Sequence, residues 1–202
     1  MSKKNRDKYF IILDAAIKVM AKHGYHGTRV SQIAREAGVA DGTVYLYFDK
    51  KGDILISLFR EMMVSFVNEL KEHLHQYDSF EEKLNFLVHH HLKTLGTDRD
   101  RAMVIQIELR QCDSEMGKKI FAPIRKYFHV IEEVIAYGQK TGKVRRDLDA
   151  GLARKVVFGA LDEVVTRWVM TREDYSLSAL AKPVLDIVMN GITSTPHFDR
   201  HD

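Results

Sequence analysis

The chain has 202 residues, 45% hydrophobic and 29% charged, with 31 Lys and Arg against 28 Asp and Glu, which is enough for one or two domains with a real core and excludes a disordered tail or a stapled miniprotein. The single cysteine, Cys112, excludes an intrachain disulfide and a thiolate metal cluster. No run approaches the roughly 20 apolar residues of a membrane helix, and no leader pattern opens the chain, so a cytoplasmic protein is expected.

Only Pro123, Pro183 and Pro196 punctuate the sequence, and turn clusters between β-branched runs are missing, so the expected fold class is all-α. The net charge of +3 is unevenly spread: residues 1–60 carry 11 Lys and Arg against 6 Asp and Glu, the remainder 20 against 22. The basic excess therefore sits where an N-terminal region could meet a polyanion.

Ile12, Ala15, Ala16, Val19 and Met20 recur at helical spacing and predict a first helix ending at Gly24. Val30, Ile33, Ala34 and Ala37 predict a short second helix, with Thr28 as N-cap and Gly38 as its end. Asp41 stands where it can cap a third short helix over residues 42–48. Two short helices around a Gly-containing turn form a helix-turn-helix layout, whose second helix enters the DNA major groove. Ala34, Ala37, Val39 and Val44 supply the small contacts of a steep crossing, which leaves Thr43, Tyr45 and Tyr47 pointing elsewhere. Hydroxyls there can donate to phosphates or base edges, and Lys50 and Lys51 add sequence-independent charge. A helical hairpin with half-buried tyrosines is the bland alternative.

From Ile54 a long helix carries Leu55, Leu58, Phe59, Met62, Phe66 and Leu70 on one stripe. Leu84, Leu87, Val88 and Leu92 mark the next, which stops near Gly96; Val104, Ile107 and Glu108 mark a short one, and residues 120–137 another, with Pro123 tolerated in its first turns. Apolar residues at Ala153, Val156, Val157, Ala160, Leu161, Val164, Val165, Trp168 and Val169 are too many for one neighbour. With Leu177, Leu180, Val184, Ile187 and Val188 they predict two helices buried on two sides, by a four-helix dimer seam or by a monomer's inner core.

Catalytic and metal chemistry find little support. Residues 138–143, GQKTGK, are one residue short of a phosphate loop and lack its hydroxyl and preceding strand, and neither G-x-S-x-G nor H-E-x-x-H occurs. His89, His90 and His91 point about 100° apart on a helix and cannot all reach one ion. Cys112 with Glu108 lacks further ligands. No catalytic residue, metal or cofactor is expected, and the chain is not expected to be an enzyme.

The run TRVSQIAREAGVADGTVYLYFDKK over residues 28–51 closely resembles the DNA-binding signature of TetR-type bacterial transcriptional repressors, a likeness covering about residues 5–55. The resemblance implies an all-helical homodimer: a helix-turn-helix DNA-binding domain over residues 1–50, a ligand-binding and dimerisation domain over 51–193, and a loose tail over 194–202. It also implies that Thr28 caps the second helix at a phosphate, that Gly42 and Thr43 face the groove, that Tyr45 and Tyr47 touch the backbone, and that Lys51 adds positive charge. Arg29, Ala40 and Asp41 complete the implied interface. Asp41 departs from the commonest pattern, a basic residue or proline, and could cap the helix or accept from a cytosine amino group.

Residues 37–58, IELRQ over 107–111 and LARKVVFGALDE over 152–163 resemble the branch of that family that represses fatty acid β-oxidation genes in Bacillus-like bacteria and leaves DNA on binding long-chain acyl-CoA. An acyl tail needs an apolar tunnel, for which Phe59, Phe66, Phe86, Met103, Ile107, Phe158 and Trp168 are candidates. CoA phosphates need cations at its mouth, for which Arg99, Arg101, Arg110, Lys118 and Lys119 are candidates, with Gln106 beside them. The same aromatics serve equally well as ordinary core, and the cations as solvated surface. The expected partners are thus a palindromic double-stranded operator, a second copy of the chain and a long-chain acyl-CoA effector, with no membrane. The alternative is a TetR-type repressor of an efflux or other operon, induced by a small hydrophobic molecule.

Overall fold

In the computed structural model, which describes residues 3–111, 114–171 and 174–192, every regular element among those residues is a helix. In chain order these are α1 (Lys3–Gly27), α2 (Val30–Glu36), α3 (Asp41–Tyr45), α4 (Lys51–Leu74), α5 (Phe80–Gly96) and α6 (Arg99–Gln106). A 3-10 turn over Glu108–Gln111 precedes α7 (Ser114–Lys140) and α8 (Ala150–Thr171), and a second over Leu177–Leu180 precedes α9 (Ala181–Ile192). Cys112 and the expected tail over 194–202 lie outside the described residues. No helix among them is long and apolar enough to cross a membrane.

The chain divides into two compact units, residues 1–64 with 98–123, and residues 65–97 with 124–202. Helix α6 and the turn after it thus pack with the N-terminal helices, whereas the expected division at residue 50 assigns them to the C-terminal domain. In the first unit Ile12, Ala16 and Met20 of α1 meet Ile33 and Ala34 of α2, Val44 of α3, Ile54 and Leu55 of α4 and Val104 of α6 in one buried cluster. Helix α2 ends because Gly38 takes φ 66, a conformation costly for a residue with a Cβ, which lets Val39 N–H return to the Ala34 carbonyl at 3.0 Å.

Two expected caps are corrected. Thr28 does not cap α2: α1 runs on to Gly27, so Thr28 lies inside the turn at 2% exposure, and its hydroxyl donates back to the Gly24 carbonyl at 2.7 Å. Arg29 takes the N-cap place, and the Gln32 side chain accepts from its N–H at 2.7 Å. Asp41 is the first residue of α3 rather than its cap; Ala40 precedes it and accepts from Thr43 N–H at 2.8 Å.

In the second unit α5 opens with a reciprocal cap, Ser79 Oγ accepting from Glu82 N–H at 3.2 Å while the Glu82 carboxylate accepts from Ser79 N–H at 3.3 Å. Phe80, Leu84, Leu87, Val88 and Leu92 of α5 are buried, as are Tyr127, Val130, Ile131 and Val134 of α7 and Val157, Leu161 and Val165 of α8. A Cβ at Gly138 would stand 2.5 Å from a Val144 methyl and 2.6 Å from the Phe80 ring, so the glycine there serves close packing. With Lys143 and Val144 N–H both returning to the Gly138 carbonyl, at 2.9 and 3.0 Å, the 138–143 stretch is a helix end and turn. Trp168 is buried and its indole N–H donates to the Tyr175 carbonyl at 3.0 Å, pinning the segment after α8. Leu152 and Val156 of α8 and Ile187 of α9 stay exposed, at 53%, 56% and 74%. Each of these helices is therefore covered on one side only within the chain.

Candidate nucleic-acid interface and effector site

Helices α2 and α3 and the turn between them present most of the expected interface residues at the surface. Arg29, Ala40, Asp41, Gly42 and Tyr45 are exposed, Tyr45 at 55%, while Thr43 is half-buried. Nothing lies within 4 Å of where a Gly42 Cβ would be, so a ligand backbone can approach α3 closely there. Tyr47 is half-buried, packed against the N-terminal core with its ring 6.5 Å from that of Tyr9. Tyr9 in turn stacks on Phe48 at 5.3 Å and donates to the Glu61 carboxylate at 3.2 Å, fixing the end of the α3 segment against α1 and α4.

Lys51 and Thr28 come together in a way that local sequence does not show. The Lys51 ammonium donates to the carbonyls of Tyr25 at 2.6 Å, Thr28 at 2.8 Å and His26 at 3.3 Å, and lies 4.5 Å over the Tyr25 ring. All three of its protons are spent on the end of α1, where carbonyls lack helical partners. Partial burial there pulls the lysine's pKa below its ordinary value. Glu108, buried and far along the chain, accepts from Tyr25 N–H at 2.6 Å. No local pattern in the sequence reveals this role of Glu108, whose partner lies 83 residues away.

The effector candidates divide between the units. In the first, Arg101 reaches Asp14 of α1 and Asp98, both at 3.6 Å, and Arg110 donates to the Gln106 carbonyl at 2.5 Å. Gln106 is buried, and Arg99, Met103 and Ile107 are half-buried. In the second, Phe66, Phe86 and Phe158 are linked through His90 and Tyr127. Phe86 stacks on His90 at 5.6 Å, His90 lies 4.7 Å from Phe66, Phe66 meets Tyr127 edge-on at 5.0 Å, and Tyr127 meets Phe158 at 6.1 Å. Beside this chain of rings His91 Nδ1 is 2.9 Å from the Tyr127 hydroxyl, both side chains fully enclosed. Burial pushes the His91 imidazole down to about 3 and the Tyr127 phenol above its ordinary range, so both are neutral. Burial also lowers the His90 pKa, against the opposing pull of Glu69. A signal for His91 exists: it continues the stripe of Leu84, Leu87 and Val88 at helical spacing, and so falls on the buried face of α5. Among the described residues no three His, Cys, Asp or Glu side chains converge as metal ligands would.

Residues 12–58 match the family described as bacterial regulatory proteins, tetR family, and residues 59–191 match the YsiA-like protein, C-terminal region. The fatty acid metabolism regulator protein of Bacillus subtilis (strain 168) is 43% identical over 190 residues, 94% of this chain and 98% of the relative. The crystal structure of the transcriptional regulator FadR from Bacillus subtilis in complex with stearoyl-CoA superposes with a TM-score of 0.87 and 42% identity, covering 91% of this chain and 99% of that one. The fatty acid degradation regulator FadR from Bacillus halodurans superposes with a TM-score of 0.86 and 46% identity, again over 91% of this chain and 99% of that one.

Proposed function

The chain belongs to the TetR family of bacterial regulatory proteins, and from that premise we propose that it is a cytoplasmic, dimeric repressor of fatty acid degradation genes, released from a palindromic operator by long-chain acyl-CoA. The observation that carries this reading is the near full-length similarity to a regulator whose structure holds stearoyl-CoA. The relatives are regulators, not enzymes, and we assign this chain no catalytic role.

In this reading residues 1–50 bind DNA, with Gly42 and Thr43 in the groove and Arg29, Ala40, Asp41, Tyr45 and Tyr47 around them; Thr28 and Lys51 hold the end of α1. Residues 51–193 bind the effector and dimerise. The exposed Leu152, Val156 and Ile187 suit a seam of α8 and α9 from two subunits. Pairing two recognition helices about 34 Å apart multiplies an otherwise weak single contact. The effector then needs only to favour a conformation in which that spacing is wrong. A hundredfold preference for that conformation couples the sites by about 2.7 kcal/mol, enough to clear an operator. The acyl chain would lie among the rings of the second unit and the CoA phosphates near exposed cations.

The test is a mobility shift on a palindromic operator from a β-oxidation promoter, titrated with stearoyl-CoA beside stearate and free CoA. Release by the thioester alone is expected. Binding that no thioester reverses, but that lipophilic drugs do, would replace this reading with that of a small-hydrophobe sensor.

A further inference from the structure

His91 is a fully buried residue of the ring cluster whose hydrogen bonding does not close among the described residues. It is 4% exposed, with its ring centroid 5.9 Å from Phe66 and 5.7 Å from Tyr127. Its Nδ1 is taken by the Tyr127 hydroxyl, while its Nε2 is buried with no partner among the described residues. His90 Nε2, also without a hydrogen bond, at least has the Glu69 carboxylate 3.9 Å away.

Counting protons sharpens the point. A neutral imidazole and a phenol together hold two hydrogens on polar atoms, and their mutual bond uses one. If the phenol donates to Nδ1, the spare hydrogen is on Nε2; if Nδ1 donates to the phenol, it is on the hydroxyl. Either tautomer leaves one donor inside an apolar wall, an arrangement native interiors rarely leave unanswered. Leucine would suit this position on the α5 stripe with no such penalty. The spare donor fits a ligand that is apolar on both sides of a single acceptor. It cannot serve phosphates, whose desolvation among phenyl rings is prohibitive. In a saturated acyl-CoA the acceptor that borders the hydrocarbon is the thioester carbonyl.

We propose that His91 Nε2–H, with its tautomer set by the Tyr127 hydroxyl, donates a hydrogen bond to the thioester carbonyl of the bound effector and makes this protein select thioesters over thioethers. The proposal rests on the acyl-CoA reading above and adds to it the residue that reads the ligand's one central oxygen.

The test pairs two ligands with two proteins. Palmitoyl-CoA and S-hexadecyl-CoA, which lacks the carbonyl, are titrated into the full-length protein on fluorescent operator DNA, and release is followed by anisotropy. The wild type should be released by the thioester at concentrations about tenfold or more below the thioether, the usual worth of one buried hydrogen bond. His91→Phe should be released by both at the same concentration. Its ligand-free thermal midpoint should not rise above that of the wild type, since the Tyr127 hydroxyl then loses its partner and becomes the unanswered donor. Should that variant fail to fold, Tyr127→Phe provides the second reading: without the phenol to hold the tautomer, the preference should fall several-fold. Equal release of the wild type by both ligands overturns the proposal and leaves the acyl-CoA reading standing. A preference that survives in His91→Phe also overturns it, and points to a buried water as the partner of Nε2. A wild type released by neither ligand removes the acyl-CoA reading and the proposal with it.

Discussion

The Glu108 carboxylate accepts a hydrogen bond from the Tyr25 backbone N–H at 2.6 Å, across 83 residues of chain. The contact falls beside Gly24, where φ 70 and ψ 163 interrupt α1, and the Lys51 ammonium gathers the carbonyls of Tyr25, His26 and Thr28 in the same stretch. An acid on the N–H side and a base on the carbonyl side thus clamp the piece of chain that leads into α2. The turn after α6 is thereby tied to the helix-turn-helix by a charged hydrogen bond and not only by apolar packing. Glu108→Ala should lower the unfolding free energy by about 1.5 to 3 kcal/mol, the range for a hydrogen bond to a charged group, and Glu108→Gln by less. Urea unfolding measures this; an unchanged midpoint in Glu108→Ala would show that the clamp adds nothing to stability.

Gly24→Ala should cost about 1 to 3 kcal/mol, because its backbone lies in a region essentially reserved for glycine. A Cβ there would meet Glu108 Oε2 at 3.7 Å, ordinary contact, so the cost is conformational and not steric. Thermal unfolding decides: a wild-type midpoint would mean that α1 can straighten through residue 24 without loss.

Lys51→Met should destabilise the first unit by about 1.5 to 3 kcal/mol, since three backbone carbonyls lose a charged donor. Because all its protons are spent inside the protein, the salt dependence of operator binding should keep its slope. A phosphate contact by Lys51 would instead flatten that slope by about one unit on substitution, which binding at several salt concentrations would reveal.

What could be read in the sequence was local. Helices α2 and α3 and the Gly38 turn between them declare themselves through spacing and a positive-φ glycine within a few residues, and the α5 and α8 stripes fall where their periods put them. Thr28 reads as a cap because it precedes an apolar period, yet α1 passes its own glycine and takes the threonine into the interior. The roles of Lys51 and Glu108 depend on partners 23 to 83 residues away, and no window of sequence contains both ends. His91 was within reach of the periodicity argument, but a run of three histidines draws attention to metal chemistry and away from the buried face on which the third one lies. Phe66, Phe86 and Phe158 stand out by type alone, whereas their assembly through His90 and Tyr127 is a property of packing.

Ile187→Glu, alone or with Val156→Glu, should convert a dimer into monomers without unfolding them. Both side chains are more than half exposed within one chain, so a charge on either costs little there, but it would be desolvated in a seam of α8 and α9. Sedimentation at micromolar concentration, beside circular dichroism, separates the outcomes: a variant that stays dimeric places the seam on another face.

His91 also gives stability a pH dependence whose sign follows from its burial. The unfolded chain takes up its proton near the ordinary 6.5, while the folded chain resists until about 3, so between those values the unfolded state binds more protons. The contribution of the neutral ring is complete above about pH 6.5 and is lost as pH falls toward 3, at about 1.4 kcal/mol per unit. Going from about pH 7.5 to 5.0 should therefore cost about 2 kcal/mol through this residue. His91→Phe abolishes that loss but keeps the smaller one from His90, whose pKa burial also lowers, so the comparison isolates His91. Urea unfolding of both proteins at the two pH values should give a double difference of about 2 kcal/mol. Parallel losses in the two proteins would mean that the folded state admits a proton at His91, which requires water or a carboxylate to reach the ring.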